Sequence, residues 1–357
     1  MCLTPKGYSF FNKILISIFL ICLLAGCATG GWPRERLFYG SALLKASEGN
    51  VAGGREILNK TVQTYSSIEA HYWRGMYILM YQKPEEALED WSDIIDNLEG
   101  KSLTYEEMNI LFWAYRYRSR IYLKEKQKVN MLDDYEKSIL LQEKFARGDF
   151  QRNFSAPMNS PIFSMPQASG SGIYNGRMIV QLERGKRQEA IQEFKKMLNY
   201  PENFKARPKL DKQATETEGK RKMMILGSAG IFGKVTTINQ DYSDSFKDLS
   251  LELLKERLGE ARLKEIMESE TEPVIVIYAE LLGNDAIEPL INKLSGEQAA
   301  DDVLVGGVKT LTLFYPKVNN INKQRIRETF EILKQRIVAE NAESVKQALR
   351  EALGTIK

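Results

Sequence analysis

The chain has 357 residues, with 50 basic and 47 acidic side chains, one histidine and three cysteines. A formal charge of +3 spread over this length gives no electrostatic footprint for nucleic acid. One histidine, with no free thiol expected in the mature chain, excludes zinc sites of the usual ligand types, and no Gly-x-Ser-x-Gly elbow supplies a nucleophile for His71.

Residues 1–26 read as an export signal. Lys6 and Lys13 make a positive start, no acid precedes Cys27, and residues 14–24 are apolar except for Ser17. As a helix this run is about 17 Å long at 1.5 Å per residue, too short for a hydrocarbon core of about 30 Å. It therefore reads as a removed signal and not as a permanent span. The residues that close it, Leu24, Ala25, Gly26 and Cys27, are similar to the bacterial lipobox of an aliphatic residue, two small residues and an obligatory cysteine. The resemblance implies a diacylglycerol on the Cys27 sulfur, cleavage before Cys27 and acylation of the new amine. Two or three chains anchor durably, because each buried methylene contributes ~0.8 kcal/mol. The alternative is an ordinary secretory signal with a chance cysteine. Ala28 stands where Asp is similar to an inner-membrane retention signal, so the expected location is the outer membrane facing the periplasm, with surface exposure as the alternative.

Cys2 and Cys22 leave with the signal, so the mature 331 residues are expected to hold no free thiol and no disulfide, at a net charge of +1. Residues 27–33 form a short lipidated tether, and the first helix is expected close to the bilayer.

Residues 34–205 read as helix after helix. In residues 70–98, Gly75 precedes Ala87 by twelve positions, and Trp91 and Ile94 follow at four and three more. This pattern resembles a tetratricopeptide (TPR) repeat, where small residues let two antiparallel helices touch and a large aromatic fills the space beside them. Pro84 is expected in the first turn of the second helix, where its missing N–H does no harm. The frame recurs with Ala42, Gly54 and Leu58, with Ser119, Met131 and Tyr135, and with Met178, Ala190 and Phe194. Met131 and Met178 depart from the pattern, since both positions are usually small. Successive frames are offset by 33, 44 and 59 residues, where a repeat of about 34 is usual. The excess requires insertions, and the Pro/Ser-rich stretch at about 150–172 is the clearest; residues 154–172 read as non-helical.

Residues 206–220 read as a charged linker. Within 221–357, residues 284–294 (NDAIEPLINKL) and 341–356 (NAESVKQALREALGTI) resemble the two halves of a HEAT-type repeat. Asn284 or Asp285 is expected to cap the first of these helices, with Glu288 completing a capping box and Pro289 in the first turn. Segments 246–268, 272–282, 298–315 and 323–340 also have helical apolar spacing. The expected fold is all-α: an α-solenoid of antiparallel helical hairpins, TPR-like in its N-terminal half and HEAT/ARM-like in its C-terminal half.

Little in the chain speaks for catalysis. The acid pairs Glu85/Glu86, Glu106/Glu107, Asp133/Asp134 and Asp301/Asp302 read as solvated faces near helix starts. Residues 227–235 (GSAGIFGKV) fail as a phosphate loop at Ser228 and Val235 and read as glycine-permitted packing. His71 reads as a partly buried polar spacer. The strongest binding candidate is the helix of residues 108–124. The TPR resemblance implies that the first helix of each pair lines a concave groove, and alignment on Ser119 places Trp113, Arg116, Arg120 and Leu123 there. Tyr39, Leu43, Tyr72 and Met76 are the matching positions in the preceding repeats. Arg116 and Arg120 stand where carboxylate-clamp members of that family carry basic residues, and a guanidinium binds a carboxylate through two parallel hydrogen bonds. Those members have polar residues at the other groove positions, so the resemblance implies instead an aromatic-lined groove with a basic end, suited to an extended or helical peptide. The alternative is that both arginines only pair with nearby acids.

The expected function is that of a non-enzymatic scaffold, anchored to the bilayer through Cys27, that recruits or positions envelope proteins in assembly, secretion or export. No cofactor, metal or nucleic acid is expected. A cell-wall glycan enzyme or its activator, using two acids across a cleft, is the main alternative; a surface-exposed adhesin is another. Cys27→Ala should leave an uncleaved, unlipidated precursor that no longer partitions into detergent, and unchanged partitioning would rule out the anchor.

Overall fold

The computed structural model describes residues 35–147, 170–199, 249–269, 273–296, 299, 301–337 and 343–356. The signal, Cys27 and its tether, the 206–220 linker, residues 227–235 and most of the Pro/Ser-rich insertion lie outside the described residues. Those described are helical throughout, with short connections and no β-strand among them. The protein is all-α, built of helices packed consecutively as hairpins, and it divides into two compact units.

The first unit contains α1 (Glu35–Ser47), α2 (Val51–Tyr65), α3 (Ile68–Tyr81), α4 (Leu88–Leu98), α5 (Tyr105–Lys124) and α6 (Lys128–Arg147). Local chemistry fixes several starts. The Asn50 side chain accepts from the Gly53 N–H, Ser67 accepts from the Ala70 N–H, and Thr104 and Glu107 form a reciprocal capping box. Pro84 opens a 3-10 turn, Pro84–Ala87, that leads into α4, as its position in the frame predicts.

Inside each hairpin the helices touch where the frame places them. Every frame residue with a side chain, from Ala42 to Phe194, is at most 1% exposed. At Gly75 a Cβ would come within 2.6 Å of the Trp91 ring, so the indole lies directly on the glycine backbone. At Gly54 it would come within 2.7 Å of the Ala42 carbonyl oxygen.

A second recurring feature sits beside this crossing. Arg74 on α3 reaches Asp90 on α4 at 2.7 Å, and Arg118 on α5 meets Asp134 on α6 through two bonds of 2.7 and 2.8 Å. Both arginines precede the frame residue of the first helix by one position, and both aspartates follow the frame residue of the second helix by three. Each arginine also reaches back to the preceding hairpin, Arg74 to Asn59 at 3.4 Å and Arg118 to Ser92 at 3.2 Å. Asp90 additionally takes the His71 imidazole Nδ1 at 2.9 Å, while Asp93 lies 3.3 Å from the same nitrogen. Asp134, read from sequence as part of a solvated face, is therefore buried. The correction has a plain cause: its partner lies sixteen residues away, across a turn. Burial acts to lower the Arg118 pKa, but the hydrogen bonds and charge of Asp134 outweigh it and raise it. Burial raises the Asp134 pKa, with Arg118 opposing.

The second unit contains α7 (Gly170–Glu183), α8 (Arg187–Leu198), α9 (Leu249–Leu258), α10 (Glu260–Ser269), α11 (Pro273–Leu282), α12 (Ile287–Ser295), α13 (Asp301–Phe314), α14 (Asn320–Arg336) and α15 (Glu343–Thr355). The fourth frame hairpin, α7 and α8, thus groups with the C-terminal helices, whereas the sequence places it with the domain of 34–205. The bonds responsible are specific. The Tyr278 hydroxyl donates to the Asn175 carbonyl at 2.8 Å, Arg257 donates to the Leu182 carbonyl at 2.6 Å, and Arg187 bonds the Leu282 carbonyl and Asp285. The arginine–acid pair recurs here as well, Arg177 facing Glu193 at 3.9 Å.

Three sequence readings change in this unit. The helix expected at 246–268 is two helices, broken at Gly259, whose φ of +82° few other residues adopt. The capping box of Asp285 and Glu288 does not form: a 3-10 turn, Gly283–Ala286, enters α12 without a side-chain cap. Asp285 is taken by Arg187, and Glu288 by Arg325 at 2.5 Å. Helix α7 begins at Gly170, inside the stretch read as non-helical.

Gly75→Ala should destabilise the first unit by about 1–3 kcal/mol, because the Trp91 ring must move. Gly354→Ala, where a Cβ meets nothing within 4 Å, should cost nothing and add about 0.5 kcal/mol. Urea unfolding midpoints distinguish the two. Asp134→Ala should cost about 3–5 kcal/mol by stranding a buried guanidinium, and Arg118→Met combined with Asp134→Leu should recover most of it in a double-mutant cycle.

Candidate functional site

The residues expected to line a groove belong to α1, α3 and α5, and aromatic contacts join these helices. Tyr39 on α1 stacks on Trp73 of α3 with centroids 4.3 Å apart, and Trp73 meets Tyr72 edge-on at 5.5 Å. Tyr72 contacts Trp91 of α4 at 6.0 Å, Trp91 contacts Tyr117 of α5 at 5.0 Å, and Tyr117 stacks on Trp113 at 5.5 Å. Trp113 then meets Phe112 at 5.1 Å. The Arg116 guanidinium closes the series, 5.3 Å from the Phe112 centroid and 4.5 Å from that of Tyr135 on α6. Offset and edge-on pairs of this kind contribute about 0.5–1.5 kcal/mol each beyond area burial. The result is a ladder of rings that crosses all three hairpins of the first unit and ends on a cation.

The sequence-predicted site residues divide along this ladder. Tyr39, Leu43, Trp113, Arg116, Arg120 and Leu123 are partly exposed. Tyr72 and Met76 are not: they are 1% and 6% exposed and sit in the hydrophobic core. This corrects the expectation that both line the groove. Helix α3 packs against α1, α2 and α4 together, which leaves residues 70–79 buried apart from Arg74. Of the two arginines, Arg116 lies over the Phe112 and Tyr135 rings as a member of the ladder, while Arg120, one turn further along α5, is partly exposed. Trp73 and Tyr117 were not singled out by sequence. A search for aromatics adjacent to the groove positions, rather than on them, finds both.

Among the described residues, no group of three or more His, Cys, Asp and Glu side chains is arranged to hold a metal ion. No helix among them is long and apolar enough to cross a membrane.

Tyr77 marks the junction between the first two hairpins. It is fully buried, its hydroxyl donates to the Val51 carbonyl at 2.8 Å, and its ring lies 4.9 Å from that of Tyr81. Burial pushes its pKa up to about 12; Tyr81 adds to the shift and Arg55 opposes it. The folded state therefore holds this proton more tightly than the unfolded chain, whose tyrosines titrate near pH ~10. The stabilisation is complete below about pH 10 and is lost as pH rises toward about 12. Chemical denaturation across that range should show stability falling, and Tyr77→Phe should flatten the fall. No protein-family model, no curated protein and no solved structure matches this chain.

Proposed function

We propose that this protein is a lipid-anchored, non-enzymatic scaffold of the bacterial envelope, which recruits or positions a partner protein along the exposed margin of its aromatic ladder. The observation that carries this reading is the ladder itself, with partly exposed Tyr39 and Trp113 on two different hairpins and Arg116 at its end. Aromatic rings supply large contact area with few torsions to freeze, and neighbours already hold these rings in place. Arg120 and Leu123 continue the surface along α5, a cation beside an aliphatic side chain. That chemistry fits an extended or helical segment presenting one apolar anchor and one carboxylate. Anchorage through Cys27 and placement at the periplasmic face of the outer membrane follow from the lipobox resemblance and Ala28. The TPR likeness of the frame supports the same class of role.

A photoreactive amino acid at Leu123 should crosslink a discrete envelope protein in intact cells. Arg120→Glu should reduce that capture about tenfold, equivalent to about 1.4 kcal/mol, with no change in the unfolding midpoint. Equal capture by the reversed charge, or crosslinks that arise only from positions in the second unit such as Glu328, would overturn the assignment.

A further inference from the structure

Among the aromatic residues whose burial is described, Phe38 and Tyr65 alone are exposed, each at 37%, and their rings lie 5.8 Å apart. Phe38 is in the first turn of α1 and Tyr65 is the last residue of α2. The pair therefore sits at the end of the first hairpin opposite its turn, which is also the end where the chain enters from Cys27. Solvation of two adjacent rings in a single hairpin stands out when every other ring whose burial is described is at least partly buried. Their surroundings are unusual too. Residues 37–44 and 61–68 contain no charged side chain, although Glu35 and Arg36 share the first turn of α1 with Phe38, and Lys60 and Glu69 border the second stretch.

From this we infer that the Phe38–Tyr65 edge is a bilayer-contacting surface that seats the first hairpin in the headgroup region. The inference rests on the lipid anchor proposed above. The length of the connection selects the occupant: from Cys27 to Glu35 are eight residues, which reach at most about 28 Å fully extended. An anchored Cys27 thus confines the ring pair to the neighbourhood of the membrane surface, and Phe38 follows Glu35 by less than one turn of helix. Tyrosine and its apolar neighbour suit that depth, where one part of a ring is in acyl chains and its polar end in water. The two rings bring no charge of their own to that contact, and the charged Glu35 and Arg36 of the same turn suit the headgroup level and not the acyl chains. Two contacts with the bilayer, the lipid and the rings, fix an orientation that a tether alone leaves free.

The mature chain offers a clean test, because Cys27 is its only cysteine and an acylated one does not react with thiol reagents. Thr64→Cys, beside the pair, and Glu48→Cys, at the opposite end of the hairpin, would each be labelled with an environment-sensitive fluorophore. The lipidated full-length chain is then reconstituted into phosphatidylethanolamine–phosphatidylglycerol vesicles that carry nitroxide-labelled lipid. The label at position 64 should lose about half of its emission or more to the nitroxide, and the label at position 48 little. Phe38→Ser with Tyr65→Ser should remove most of the difference while the protein stays on the vesicles. Equal quenching at 64 and 48 in vesicle-bound protein overturns this inference and leaves the anchor intact. A chain that does not remain with the vesicles overturns the anchor, and the inference falls with it.

Discussion

A guanidinium on the first helix of a hairpin, facing a carboxylate sixteen residues later on the second, recurs as Arg74–Asp90, Arg118–Asp134 and Arg177–Glu193. Sixteen residues is the path out along one helix, round the turn and back to the same level. The pair therefore registers the two helices against each other, next to the place where a small residue admits a large one. In the two hairpins of the first unit that contain it, the arginine also touches the second helix of the preceding hairpin, at Asn59 and Ser92. One side chain thereby sets both the register within a hairpin and the stacking between hairpins. Desolvating two charges is expensive, so such pairs contribute more to geometric specificity than to net stability.

The first hairpin lacks the pair. Ser41 and Ile57 occupy the corresponding positions, and Ser41 bonds only its own helix at the Leu37 carbonyl. Its place in the stack depends on Arg74 reaching back to Asn59, on the Arg55–Glu86 ion pair at 3.0 Å, on the Tyr77 hydroxyl at Val51 and on the Tyr39–Trp73 contact. The aromatic ladder thus begins in the hairpin of the first unit that has no arginine–aspartate pair of its own. The ladder is therefore one fastening of the first hairpin and, in the proposed scaffold, the surface offered to a partner, since stiff rings that are already ordered lose little freedom on binding.

Much of the architecture was legible because its signal is local or nearly so. The resemblance of Gly75, Ala87 and Trp91 to the tetratricopeptide frame implied a helix crossing, and the same spacing found the other hairpins, including those where Met131 and Met178 replace a small residue. Unbranched methionine adapts to a gap that a small residue would otherwise leave. The caps at Asn50, Ser67 and Thr104 are likewise set by a few adjacent residues. Reading failed where a third element decided the outcome. Tyr72 and Met76 have the spacing of an open groove face, but α3 is covered from three sides. Asp285 and Glu288 have the sequence of a capping box, but Arg187 and Arg325 compete for both carboxylates.

The helical class was legible in apolar spacing with a 3.6-residue period, while the order of the hairpins and the residues that meet within each were implied by the resemblance to the tetratricopeptide frame. Which acids are buried, which aromatics keep a solvent face and which unit the fourth hairpin joins were settled only in the folded arrangement. Those outcomes depend on partners distant in sequence: Asp134 on Arg118, Tyr39 on Trp73, and Asn175 on Tyr278. Burial and ion pairing are properties of an environment, and a carboxylate or a ring carries no local mark of the neighbour that will claim it.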